Sequence, residues 1–139
     1  MLNEAQKRRV SVTFSSLEEN LHDMERLLKG GDYIGIVHAM YNDVPEPVRD
    51  ALLAKIAQVK NRIRSLAERF DLKREQRSLS RRLFAQLSYD WTTLEETTTR
   101  HLQGYGDVAK ELKETLDPEL NAIIGLIVEM ERLLNAGKQ

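Results

Sequence analysis

Four segments of this chain carry apolar residues at alternating steps of three and four, the spacing that places one apolar face along a packed helix. The segments span residues 10–28, 48–70, 79–105 and 108–134. Four amphipathic helices joined by short connections favour an antiparallel up-down four-helix bundle. A length of 139 residues suits one domain. The sequence therefore predicts an all-α protein with a single helical-bundle domain over residues 1–139.

Glycine marks the end of the first helix, because Gly30 and Gly31 follow its last apolar residue. The helix is predicted to extend back through Val10, which continues the apolar seam, although a capping-box pattern at Ser16 is an alternative start. Residues 32–41 predict a short extra helix between helices 1 and 2, lying across one end of the bundle.

The second helix is predicted to begin near Pro45, with Asn42 or Asp43 as its cap. No glycine or proline separates it from the third helix, so the break is placed at residues 70–72 with Asp71 as the cap.

Two glycine- and proline-containing motifs mark the later boundaries. The third helix is predicted to end at residues 104–106, where glycine flanks a tyrosine. The fourth helix is predicted to begin near Asp107 and to restart or kink at residue 117, because Asp117 followed by Pro118 is a strong start signal.

Positive charge is concentrated in one internal stretch. Residues 55–82 contain ten Lys and Arg residues against three Asp and Glu residues, a net charge of +7, although the whole chain has a net charge of −1. In an up-down bundle this stretch lies at the same end as Lys7, Arg8 and Arg9. Helix-dipole complementarity and ordinary solvated charge account for part of the pattern. The functional interpretation is a basic pole that contacts an anionic partner.

The leading prediction of function is a non-enzymatic interaction or regulatory protein whose basic pole contacts an acidic protein surface. The candidate contacts are Arg74, Arg77, Arg81 and Arg82. A nucleic-acid-binding accessory protein is a less favoured alternative. The overall charge is slightly negative, and no aromatic residues are interleaved with the bases for stacking on nucleotides.

A ligand- or metal-binding bundle, possibly catalytic, is the competing prediction. Glu19 and His22 have the Glu-x-x-His form found in di-iron bundles, which need two such motifs and two further glutamates. The motif occurs once, so these residues are a weak candidate and no metal is predicted. Trp91, His101 and Tyr105 are candidates for lining a small polar pocket near the end of the third helix.

Several function classes lack support in the sequence. No nucleophile elbow, Ser-x-x-Lys arrangement or phosphate-binding loop occurs, which argues against an enzyme, and no cofactor is predicted. The absence of cysteine excludes disulfides and suits a reducing compartment. With no signal-peptide pattern and no apolar run of about 20 residues, a cytoplasmic protein without a membrane span is predicted. Self-association stays open, because oppositely charged ends could attract each other.

Overall fold

Helices account for most of the chain in the computed structural model, which describes residues 1–137. The elements are, in order, α1 (Glu4–Lys29), β1 (Tyr33–Ile34), β2 (Ala39–Met40), α2 (Glu46–Arg69), α3 (Leu79–Glu95), α4 (Thr99–Leu102), a 3-10 turn (Gln103–Tyr105) and α5 (Lys110–Ala136). The all-α class is confirmed. The chain divides into two compact units, the first from Met1 to Gln76 and the second beginning at Arg77. The single domain and the up-down arrangement of four helices stay predictions.

The first unit is built on an antiparallel pair formed by α1 and α2. α1 is one long helix, as predicted, and Asn3 caps it: the Asn3 side chain accepts from the backbone N–H of Gln6, and the Gln6 side chain accepts from the Asn3 N–H. The Ser16 start is therefore wrong. Leu21, Leu28 and Ile56 are the buried apolar residues of the small core, with three half-buried residues packed around them, Val44, Leu53 and Ile63.

Residues 32–41 form a β-hairpin, so the predicted short extra helix is wrong. Tyr33 pairs with Met40 and Ile34 with Ala39 in antiparallel register. The turn depends on Gly35, whose N–H donates to the His38 carbonyl at 2.8 Å. A Cβ added at Gly35 would lie 2.8 Å from the His38 ring, a distance that packed atoms do not adopt. The aromatic and β-branched residues here also favour strand over helix.

The boundary between α2 and α3 was predicted at the right place but with the wrong cap. α2 ends at Arg69, and Asp71 follows with a φ of 51°, in the left-handed region that terminates helices. Asp71 does not cap α3. Ser78 does, because its hydroxyl accepts from the backbone N–H of Arg81. Residues 73–77 between the two helices belong to neither helix nor strand.

The second unit pairs α3 with α5 and places α4 against α5. The third helix ends at Glu95, earlier than predicted, in a threonine-rich stretch whose hydroxyls bond to carbonyls three or four residues back. Such bonds offer the backbone an alternative to continued helix.

α5 continues through Pro118, so of the two predicted alternatives at Asp117, a restart or a kink, the restart is wrong. The reason lies in α4: the Asp117 carboxylate accepts from the backbone N–H and the hydroxyl of Thr99, at 2.9 and 2.7 Å, and does not cap a new helix. α5 ends at Ala136, and Gly137 follows as its cap.

Within residues 1–137, none of the helices combines the length and the apolar composition that crossing a bilayer requires.

Candidate functional site

Basic side chains gather at the end of the first unit that lies opposite the β-hairpin. Because α1 and α2 are antiparallel, the first turns of α1 lie beside the last turns of α2. We call the following seven residues the basic end: Lys7, Arg8, Arg9, Arg62, Arg69, Lys73 and Arg74. All except the half-buried Lys7 are exposed to solvent. The sequence prediction that the start of helix 1 and the end of helix 2 share an end is confirmed.

The four arginines predicted to contact a partner fall on both sides of the boundary between the units. Arg74 follows α2 in the first unit. Arg77 lies just before α3 in the second unit, and Arg81 and Arg82 lie in its first turn. All four side chains are exposed. They are accessible to a partner, and whether they contact one stays a prediction.

Along α2, three of the basic residues lie on a side of the helix that carries no acidic residue. Lys55, Arg62 and Arg69 are spaced by seven residues and therefore form one row, which we call the basic row. Its side chains are exposed, and within residues 1–137 they form no ion pair. The acidic residues of α2 lie about 100° or more from the row around the helix axis, at ~100° per residue. These are Glu46, Asp50 and Glu68.

An apolar surface runs beside the basic row. Leu17 and Met24 on α1 and Val48, Leu52 and Val59 on α2 keep between 36 and 48% of their surface exposed. We call these five residues the open apolar face. These residues lie next to the buried Leu21 and Ile56, toward one side of the helix pair. On the opposite side, an ion pair between Glu25 and Lys60 joins the two helices.

A cleft that the sequence did not predict lies between the end of α1 and the β-hairpin. Its volume is about 420 Å³, and its walls include Leu27, Tyr33, His38, Met40 and Tyr41. The rings of Tyr33 and His38 lie 5.1 Å apart. The hairpin tip beyond the cleft exposes two aliphatic side chains completely, Ile36 and Val37. The glycines at positions 30, 31 and 35 were the available signal, since they mark a turn-rich segment.

The predicted pocket residues lie on three different elements of the second unit. Trp91 is half-buried on α3, His101 is exposed on α4, and Tyr105 is 91% exposed in the 3-10 turn. In the part of the chain that the structure describes, no hydrogen bond or ring contact joins them. The pocket stays a prediction.

The weak metal candidate lies on α1, where His22 is exposed and Glu19 half-buried. Over residues 1–137 no group of three or more histidine, aspartate or glutamate side chains is arranged to hold a metal ion. Glu19 and His22 thus gain no third ligand from the fold.

Two carboxylates have lowered pKa values, each because of a specific partner. The hydrogen bond from the Lys60 ammonium is the main cause that lowers the pKa of Glu25, and partial burial opposes it. The backbone N–H and the hydroxyl of Thr99 lower the pKa of Asp117. Both carboxylates connect neighbouring elements within one unit. Each lowered pKa therefore follows from a contact that joins two elements of the fold.

No family model matches the chain, and neither the curated proteins nor the solved structures include a significant match. Function must therefore be argued from the charge and apolar surfaces of the chain itself.

Proposed function

We propose that this chain is a non-enzymatic interaction protein whose basic end contacts an acidic surface of a partner protein. The observation that supports the proposal is the antiparallel pairing of α1 and α2. This pairing adds the exposed Arg8 and Arg9 to bases that are more than 50 residues away in sequence. Clustered cations raise the local potential, which speeds association with an acidic surface and makes it dependent on salt.

An acidic protein surface is favoured over nucleic acid. Phe70, the one aromatic residue within residues 55–82, is half-buried, so this stretch offers no exposed ring on which bases could stack. The chain as a whole has a net charge of −1, whereas nucleic-acid-binding domains are usually basic overall. A protein surface needs only complementary charge and an adjacent apolar contact.

The up-down arrangement of four helices is the alternative to partner binding at the apolar surfaces of the chain. Both units leave a second apolar row exposed, which a four-helix core would bury. In the first unit this row is the open apolar face. In the second unit it lies on α5 and consists of Ile123, Leu126, Met130 and Leu133. Light scattering distinguishes burial within one chain from burial between copies, because only the second gives a mass above 16.0 kDa.

Charge reversal tests the proposed contact. In the first variant, glutamate replaces Arg74, Arg77, Arg81 and Arg82. In the second, glutamate replaces Arg8 and Arg9, which are far in sequence from the basic residues 55–82 and lie near them only in the folded chain. The probe is a fluorescent, glutamate-rich peptide, measured at low and high salt, with single-stranded RNA and anionic vesicles as comparison probes.

We expect both variants to weaken peptide binding at low salt and to reduce its salt dependence, with helicity by circular dichroism unchanged. The matched control reverses exposed bases elsewhere, at Lys29, Arg100, Lys110 and Arg132. Equal loss in the control would mean that net charge alone determines binding. Tighter binding of RNA or vesicles than of peptide would refute the protein-partner assignment.

A further inference from the structure

The side of α2 that faces solvent offers a partner two kinds of contact in parallel lines. One line is apolar and consists of Leu52 and Val59, and the other is the basic row, which Val48 precedes by seven residues. The two lines run side by side because Leu52 and Val59, like the members of the basic row, are seven residues apart. A partner that follows this surface must present apolar and acidic groups at the same spacing.

The other edge of the open apolar face carries no charge. It is formed on α1 by Thr13, Asn20 and Leu27, which are also seven residues apart. The face is therefore bordered by positive charge on the α2 side only. This asymmetry fixes which edge of a bound partner must be acidic.

We infer that the open apolar face binds an amphipathic helix of another protein that carries acidic residues every seven positions along one edge. The apolar side of that helix packs into the groove between Met24 and Leu52, as a third helix does in a bundle. Its carboxylates pair with Lys55, Arg62 and Arg69. The inference rests on the proposed function and specifies it, since it names the partner's secondary structure and charge spacing.

Charge complementarity also argues against a second copy of the same face as the occupant. In an antiparallel pairing of two copies of this face, the two basic rows lie along the same edge and repel each other. In a parallel pairing, each basic row faces the uncharged α1 edge of the other copy, which offers no carboxylate. The acidic residues of α2 lie away from the face and cannot neutralise this repulsion. A helix with an acidic edge avoids it.

Synthetic peptides test the inference on the full-length chain. The first peptide is a helical heptad repeat with leucine on one side and glutamate along one edge. The second has the same composition with the glutamates moved to the far side, the third has lysine in their place, and the fourth is the first peptide interrupted by proline. Fluorescence anisotropy gives each affinity, and circular dichroism checks the fold of each protein variant.

Arg62 and Arg64 provide a matched pair of positions. Both are exposed arginines of α2, two residues apart and therefore about 160° apart around the helix, at ~100° per residue. We expect Arg62→Glu to weaken binding of the first peptide about tenfold, because an attraction becomes a repulsion, and Arg64→Glu to change it less than about twofold. Leu52→Asp should abolish binding, and reversal of all three row residues should transfer preference to the lysine peptide.

The outcomes separate the two proposals. Equal effects of Arg62→Glu and Arg64→Glu, or equal binding of the proline-interrupted peptide, would overturn the helix-binding face while leaving a basic end that binds acidic protein. Binding of no acidic peptide would overturn both. If the open apolar face is already covered, the peptides would also fail to bind. Leu52→Asp would then lower the stability of the protein where the chain itself covers the face, and would lower its mass in solution where a second copy covers it.

Discussion

The side-chain amide of Asn42 donates to the backbone carbonyl of Leu28 at 3.2 Å and to that of Gly30 at 2.7 Å. These carbonyls belong to the end of α1, where helical carbonyls lack partners of their own. Asn42 thus ties the end of α1 to the segment that leads into α2. The Asn42 N–H in turn donates to the Asp32 carboxylate at 2.8 Å, so the base of the β-hairpin is fixed from both sides.

Replacing Asn42 should therefore destabilise the first unit. We expect Asn42→Ala to lower the free energy of unfolding by about 1–2 kcal/mol. Asn42→Asp should cost at least as much, because a carboxylate would face two carbonyl oxygens. Urea unfolding measures both, and Asp43→Asn, at the exposed neighbouring position, is the control. A stable Asn42→Asp variant would contradict this account.

The pairing of α3 with α5 includes a polar contact between two side chains. The Ser88 hydroxyl donates to the Glu131 carboxylate at 2.7 Å, and Glu131 is only 8% exposed. Ser88→Ala leaves the carboxylate without this donor and should cost about 1–3 kcal/mol. Combining it with Glu131→Leu should recover most of the loss, because both polar groups are then gone. A double-mutant cycle by chemical denaturation measures the coupling, and additive single effects would rule it out.

Asp117 should make the stability of the second unit depend on pH. Its pKa is lowered in the folded chain by Thr99, so the carboxylate stabilises the fold above its unfolded pKa of about 3.9. This contribution is lost as the pH falls through the lowered pKa. Unfolding curves between about pH 6 and pH 3 should show a smaller acid loss for Asp117→Asn than for the unmodified chain. Glu119→Gln, which removes an exposed carboxylate from the same helix, is the control.

Two glycines of the second unit should respond in opposite directions to alanine. Gly125 lies inside α5, and an added Cβ would meet nothing within 4 Å. Gly125→Ala should therefore stabilise the chain by about 0.5–1 kcal/mol. Gly106 has a φ of 149°, which a side chain disfavours, so Gly106→Ala should cost about 1–3 kcal/mol. Thermal melts compare the two, and destabilisation by Gly125→Ala would indicate that a partner packs closely on that side of α5.

The helices of this chain were predictable because their signal is local. Val10 and Leu28 belong to one seam, and the structure places both in α1. Arg8 and Arg9 could be predicted to lie near the basic residues of the second helix, because the start of one helix lies beside the end of the other in an antiparallel pair. The basic row was visible as a seven-residue spacing only after its helix and its buried side were known.

The errors arose where a distant residue competes with a local signal. Asn42 is of a residue type that often caps helices, but its side chain donates to carbonyls at the end of α1. Asp117 before Pro118 is typical of a helix start, but the Asp117 carboxylate accepts hydrogen bonds from Thr99. Gly35 permits a turn that apolar spacing alone cannot distinguish from a short helix. In each case the deciding contact joins residues that a local pattern does not relate.

Residues 73–77, which belong to no helix or strand, also determine where the chain is open to proteolysis. Trypsin-like enzymes cut after Lys or Arg when the substrate can enter the active site as an extended strand. The chain has 21 such residues, and most of them lie within helices that would have to unwind first. Lys73, Arg74 and Arg77 need no unwinding, so limited digestion should begin there and release two fragments that correspond closely to the two compact units.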